Sequence, residues 1–316
     1  MTAPTAPASS TGSRSTPSNP STPIRASALA LLLGFFCLLL LPSGASAQDD
    51  IKVFISVDME GIAGVVNWED VSRSGKDYGY FRRIMSLEAN AAVQGAFDAG
   101  ATEVVVRDSH GSARNILPDL LDPRARLIRD WSGGPKGMME GIDESFDAVV
   151  FIGYHGKAGT PDALLEHTSS GNVLDFAING TSYPEAGYNA LIAGSFGVPV
   201  VFLAGDQAIC DQVQGFLGEV ATVATKEGIG AASKGLHPET ARERIRRGVR
   251  EAVENRARYE PYTIEAPYTL VLQLKSEESV YNGSFFPGAE RTGDWELTFT
   301  GDHILEVMYA FNVMKR

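Results

Sequence analysis

Ile51-Lys52-Val53-Phe54-Ile55-Ser56-Val57-Asp58-Met59-Glu60-Gly61 runs from a β-branched and aromatic stretch straight into two carboxylates and a glycine. Its first seven residues are almost continuously apolar, the pattern of a strand buried on both faces rather than one lying on a half-wet sheet. The pattern recurs at Glu103–Arg107, Phe146–Ile152 and Val198–Leu203, and more weakly at Arg126–Arg129. Helical stretches lie between these runs, from Tyr78 to Ala99 with Gly100 as its C-terminal stop, and from Glu185 to Phe196. Alternation of this kind predicts βαβ units, hence an α/β fold with a mainly parallel sheet flanked by helices.

After about Gly205 the pattern changes. An arginine-rich segment, Pro238–Tyr259, reads as an amphipathic helix with a solvated face. An alternating strand at Tyr268–Leu274, a second at Trp295–Phe299 and a last helix at Asp302–Met314 follow. The expected organisation is a leader over 1–47, an α/β metal-binding core over 48–205 and a smaller C-terminal α+β portion over 206–316.

The leader differs from the rest of the 316-residue chain. Residues 1–23 are mostly Ser, Thr, Pro and Ala. Arg25 then precedes an apolar run, Ala28–Pro42, which ends in Ser43-Gly44-Ala45-Ser46-Ala47. A positive flank, an apolar stretch and an A-x-A ending predict a signal peptide cleaved near Ala47, so an exported protein with no stable membrane span after processing. Cys37 lies inside the apolar run, which leaves Cys210 alone and no intramolecular disulfide. The chain carries 27 basic against 39 acidic residues, and the leader's charges, Arg14 and Arg25, are both basic. Processing makes the balance more acidic still, which argues against a nucleic-acid partner.

In open α/β sheets, ligands bind beyond the carboxyl ends of the strands. Three strong strands here end in metal-ligating types: Asp58 with Glu60, Asp108 with His110, and His155. One such ending is usually a turn or a cap, but three on one sheet edge point to a site. Carboxylates mixed with imidazoles suit zinc, manganese or iron better than magnesium or calcium. Shared carboxylates can also bridge two ions, as in dinuclear hydrolases. Ala193–Gly197 superficially imitates a nucleophile elbow, but it joins helix to strand, the reverse of an elbow. An aspartate-nucleophile phosphatase loop at Asp58 would leave His110 and His155 without a role.

The motif Ser56-Val57-Asp58-Met59-Glu60-Gly61, followed in order by Asp108-Ser109-His110, Gly153-Tyr154-His155 and Glu185-Ala186-Gly187-Tyr188-Asn189, resembles the zinc D-aminopeptidases of the DppA type. The resemblance implies two zinc ions per chain, with manganese or cobalt as substitutes. Asp58 would bridge them, Glu60 and His110 would complete one shell, and His155 and Glu185 the other. It also implies His167 as the catalytic histidine and Asp108 as a residue that orients a ligand histidine. The expected activity is hydrolysis of the N-terminal residue, D-alanine in particular, from short peptides by metal-activated water. A ring-shaped homo-oligomer is implied as well, and export would place such an enzyme near peptidoglycan fragments ending in D-alanine. The alternatives are another metal-dependent amide or phosphoester hydrolase, or an exported metal- or peptide-binding protein without turnover.

Overall fold

A computed structural model describes residues 50–316. The signal-peptide reading falls on residues 1–47, outside the described residues. The chain begins with β1 (Lys52–Val57), α1 (Trp68–Val71), α2 (Tyr78–Asp98), β2 (Glu103–Asp108), β3 (Arg126–Ile128) and β4 (Ala148–Tyr154). Next come β5 (Val173–Ile178), β6 (Thr181–Ser182), α3 (Glu185–Ser195), β7 (Val200–Asp206), α4 (Gln207–Leu217), β8 (Ala221–Ile229) and β9 (Ala232–Gly235). The remainder is α5 (Pro238–Glu254), β10 (Tyr268–Leu274), α6 (Glu277–Gly283), β11 (Glu290–Arg291), β12 (Glu296–Gly301) and α7 (Ile304–Met314).

Seven strands form the main sheet in the order β3-β2-β1-β4-β7-β8-β9, parallel except for the terminal β8–β9 hairpin. The expected mainly parallel α/β sheet is therefore present. The chain builds outward from β1 through β2 to β3, then returns to place β4 on the other side of β1. That reversal opens a crevice at the carboxyl ends of β1 and its neighbours. Register pairs Val57 with Asp108 on one side and with Ile152 on the other, so the three strand ends stand level.

The period-2 alternation of β1 explains why it is apolar throughout. Val53, Ile55 and Val57 face a core shared with α2 and α5, whose contact is reinforced by the Arg246–Asp98 ion pair at 2.6 Å. Phe54 faces the opposite core, which holds α3, α4 and α7. Burying both faces of a strand in this way is worth about 1.5–3 kcal/mol for each large apolar side chain.

A second, antiparallel sheet has the order β11-β12-β10-β5-β6. It confirms the expected strands β10 and β12 but also recruits β5 and β6 from the middle of the chain. The main sheet in turn runs on to Gly235, so strands from both sides of residue 205 enter each sheet. Helix α3 lies in the core they share and is buried over nearly its whole length. No helix among the described residues is long and apolar enough to cross a membrane.

Candidate metal centre

The first ligand-bearing turn is fixed by backbone before any side chain acts. Asp58 N–H donates to Ile152 O at 2.7 Å and Gly61 N–H to Gly153 O at 2.8 Å, which lashes the turn after β1 to the end of β4. The approach is too close for side chains. A Cβ on Gly61 would lie 1.9 Å from Tyr154 O, and one on Gly153, whose φ is +74°, would lie 2.2 Å from Asp58 O. Only glycine tolerates both the contact and the positive φ. Behind the turn, the buried Lys226 ammonium on β8 donates to the carbonyl oxygens of Glu60, Ile62 and Val65. Sequence patterning gave no sign of that lysine, because it comes from a strand far along the chain.

Asp58 stands at the centre of the site and is 3% exposed. Its Oδ1 lies 3.2 Å from His110 Nδ1, and its Oδ2 lies 3.4 Å from His155 Nε2. Glu60 Oε2 is 3.0 Å from the same His110 nitrogen, and Glu185 Oε1 is 3.8 Å from the same His155 nitrogen. The result is two ligand triads, Asp58–Glu60–His110 and Asp58–His155–Glu185, that share one carboxylate. Glu60, His155 and His167 form a third grouping of suitable spacing. The structure thus brings together all six residues singled out from the sequence.

Each histidine has its far ring nitrogen held by a backbone carbonyl. His110 Nε2 donates to Val71 O at 3.0 Å, His155 Nδ1 to Gly156 O at 2.9 Å and His167 Nδ1 to Leu165 O at 2.9 Å. Such a bond selects the tautomer whose other nitrogen carries the lone pair, which is how ligand histidines are oriented. Asp108 does not perform this task, contrary to expectation. It accepts from the backbone N–H of Asn115 and Ile116 and from Asn115 Nδ2, and Asn115 Nδ2 also donates to His110 O. Asp108 therefore shapes the loop that carries His110, while the Val71 carbonyl at the end of α1 orients the ring.

Glu185 enters from the first turn of α3, immediately after Pro184. That placement favours a carboxylate near the positive end of the helix dipole. Ser169 N–H donates to Glu185 Oε1 at 2.6 Å, the same oxygen that faces His155 and His167, and the residue lines the cavity.

The electrostatics of the cluster call for cations. Burial opposes ionisation of Asp58, but the adjacent His110 and His155 imidazoles outweigh it and hold the carboxyl well below its usual range. Burial likewise disfavours a charged His155, yet Asp58, Glu185 and Glu60 together raise it to about 10. His110 is raised well above its ordinary value against the same desolvation, chiefly by Glu60 and Asp58. Glu185 is shifted upward by burial and by its negative neighbours, despite the attraction of His155 and His167. His155 Nε2 is buried without a hydrogen-bond partner among the described residues. An acceptor nitrogen left open between two carboxylates fits a metal ligand, and so does the mixed imidazole–carboxylate donor set.

A cavity of about 470 Å³ opens beside the cluster. Asp58, Glu60, His110, His167 and Glu185 line it together with the Trp131–Gly137 loop, Lys315 and Arg316. Its size is that of a small-molecule or short-peptide site.

A buried carboxylate–histidine cluster at the switch point of a parallel α/β sheet, open to a peptide-sized cavity, defines a metal-dependent hydrolase. Residues 51–313 match the family model described as D-aminopeptidase, and the chain belongs to that family. It is 34% identical over 268 residues to the D-aminopeptidase of Bacillus subtilis (strain 168), a match covering 84% of this chain and 96% of the relative. Among solved structures it resembles the Zn-dependent D-aminopeptidase DppA from Bacillus subtilis, described as a self-compartmentalizing protease. That match has a TM-score of 0.80 and 33% identity, and covers 84% of this chain and 96% of the other.

Proposed function

We propose that this chain is a dinuclear zinc aminopeptidase that removes an N-terminal D-residue, D-alanine above all, from short peptides. The observation that carries the reading is the divided use of Asp58, whose two oxygens face two different histidines, each paired with its own glutamate. Asp58, Glu60 and His110 would hold one ion, and Asp58, His155 and Glu185 the other. Bound zinc supplies Lewis acidity and lowers the pKa of water at the site.

The protein's own contribution is orientation and proton handling. With Nδ1–H committed to Leu165 O, His167 presents Nε2 toward the cluster, 3.6 Å from Glu185 Oε1. Its ring stacks on His155, at 4.2 Å between centroids, and meets Trp68 edge-on at 5.4 Å. A ring held in this way can take a proton at the Nε2 lone pair from the attacking water and pass it to the leaving amine without first reorganising. A protein that only bound metal or peptide would have no use for that third imidazole.

Export after cleavage near Ala47 and assembly into a ring-shaped homo-oligomer belong to the same proposal. Assembly is supported by the self-compartmentalizing description of the Bacillus subtilis structure and by exposed aromatic side chains at Tyr281, Phe285 and Tyr309.

The test is elemental analysis of the chain lacking residues 1–47, paired with hydrolysis of D-Ala and L-Ala p-nitroanilides with and without chelator. Two zincs per chain and chelator-sensitive release from the D-substrate are expected. Cleavage of the L-substrate alone would overturn the stereochemical preference. Bound metal with no cleavage of either would point to a phosphoesterase or a binding protein.

A further inference from the structure

The cavity beside the metal cluster carries charges of both signs. Asp58, Glu60 and Glu185 line it, and so does Lys315 at the end of α7, with Arg316 next to it. The Lys315 ammonium donates to Ser169 Oγ at 2.5 Å and to Asn312 Oδ1 at 3.0 Å, both neutral, lies over the Phe311 ring at 4.5 Å, and forms no ion pair among the described residues. Two of its three N–H groups are thus accounted for. Burial pushes this lysine down to about 8; Glu185 attracts its charge and Arg316 repels it. Lys136, the other lysine on the cavity, donates from Nζ to Ile142 O and lies over the Phe196 ring, with no hydrogen bond toward the cluster among the described residues.

A partly buried ammonium without a counter-ion, on the wall of a substrate cavity, is unfavourable unless an anion meets it there. Ser169 links the ammonium to the cluster, since its Oγ accepts from Lys315 and its N–H donates to Glu185 Oε1 at 2.6 Å. An anion at Lys315 therefore lies in the same cavity as the metal-facing carboxylate, where the free carboxylate of a short peptide substrate would fall.

Resting on the aminopeptidase reading above, we propose that Lys315 is a specificity-determining residue that binds the C-terminal carboxylate of the substrate. The acidic and metal-binding wall takes the amine end and the scissile bond, while Lys315 closes a charge-assisted hydrogen bond at the other end. A different role, in which Lys315 merely offsets the charge of Glu185, would affect every substrate alike.

The experiment compares kcat and KM of the zinc-loaded enzyme on D-alanyl-D-alanine and on its C-terminal amide, for the wild type, Lys315→Met and Lys315→Arg. The wild type should favour the free acid by about 10- to 100-fold in kcat/KM, mostly through KM, the range of a charge-assisted bond. Lys315→Met should reduce that preference to within about twofold by losing far more on the free acid than on the amide, and Lys315→Arg should restore much of it. Equal loss on both substrates in Lys315→Met, or no acid–amide discrimination by the wild type, overturns the proposal. The wild-type comparison decides even if Lys315→Met does not fold. No turnover of either peptide by the zinc-loaded wild type would defeat the aminopeptidase reading, and this proposal with it.

Discussion

The imidazole rings of His155 and His167 are stacked, with centroids 4.2 Å apart and planes 14° from parallel. One ring is buried among the ligands and the other lines the cavity. The rings divide the cluster between them: His155 Nε2 faces both Asp58 and Glu185, while His167 Nε2, on the ring that lines the cavity, faces Glu185 Oε1 at 3.6 Å.

Replacing the second ring tests that division. His167→Gln should lower kcat by about 10²- to 10⁴-fold, the usual contribution of a positioned general acid or base, with zinc content unchanged by elemental analysis. Loss of zinc in this variant would reassign His167 to the ligand set.

The glycines that allow β1 and β4 to meet should be intolerant of a single methyl group. Gly61→Ala places a Cβ 1.9 Å from Tyr154 O, and Gly153→Ala combines a 2.2 Å contact with a φ of +74°. Neither neighbour is a flexible side-chain end, so the backbone must shift, at a cost of about 1–3 kcal/mol or more. The same shift moves Asp58 relative to His155. Both variants should therefore unfold at lower denaturant concentration and bind zinc more weakly, as read by urea titration and competition with a chromogenic chelator.

These glycines also show what the sequence could and could not reveal. Continuous apolar runs identified β1, β2, β4 and β7 because parallel strands buried on both faces need no polar side, and ligands at three level strand ends identified the edge that carries the site. Glu185 required the family motif, since a carboxylate in a first helical turn is common for dipole reasons alone. Strand β5, with Leu174 exposed and Asp175 half-buried within it, is broken by polarity and lacks the runs that marked the others. Lys226 and the Val71 carbonyl act across long sequence separations, where no local pattern records a contact. Asp108 was legible as a residue near the site but not as a clamp on Asn115 and Ile116.

The shared use of Asp58 predicts an unequal response to ligand removal. Asp58→Asn weakens an oxygen pair that serves both triads, so both zincs should be lost or bound far more weakly. Of the two triads that share Asp58, His110→Ala and Glu60→Gln each touch only the first, and the Asp58–His155–Glu185 set should retain about one equivalent. Zinc stoichiometry after dialysis against a weak chelator checks this. Equal loss in all three variants would contradict two separable sites.

Glu88 provides a pH signature outside the ligand set. It is fully buried on α2, accepts from Ala63 N–H at 3.0 Å through Oε1, and has no partner for Oε2 among the described residues. Burial raises its carboxyl to about 7 despite the Ala63 bond and the nearby charges of Lys226 and Arg242. A carboxyl whose folded pKa lies above its unfolded value binds more protons when folded, so stability falls as pH rises through that interval. The window runs from the ordinary value of 4.5 to about 7, and the loss levels off above it. Glu88→Gln resembles the protonated form at every pH and removes this dependence. Relative to wild type, the variant should be near neutral at pH 5 and gain about 1–3 kcal/mol by pH 8, measured by urea denaturation of both proteins in chelator. A stability difference that does not change between those pH values would mean that Glu88 folds with its charge already compensated, with Lys226 as its counter-ion.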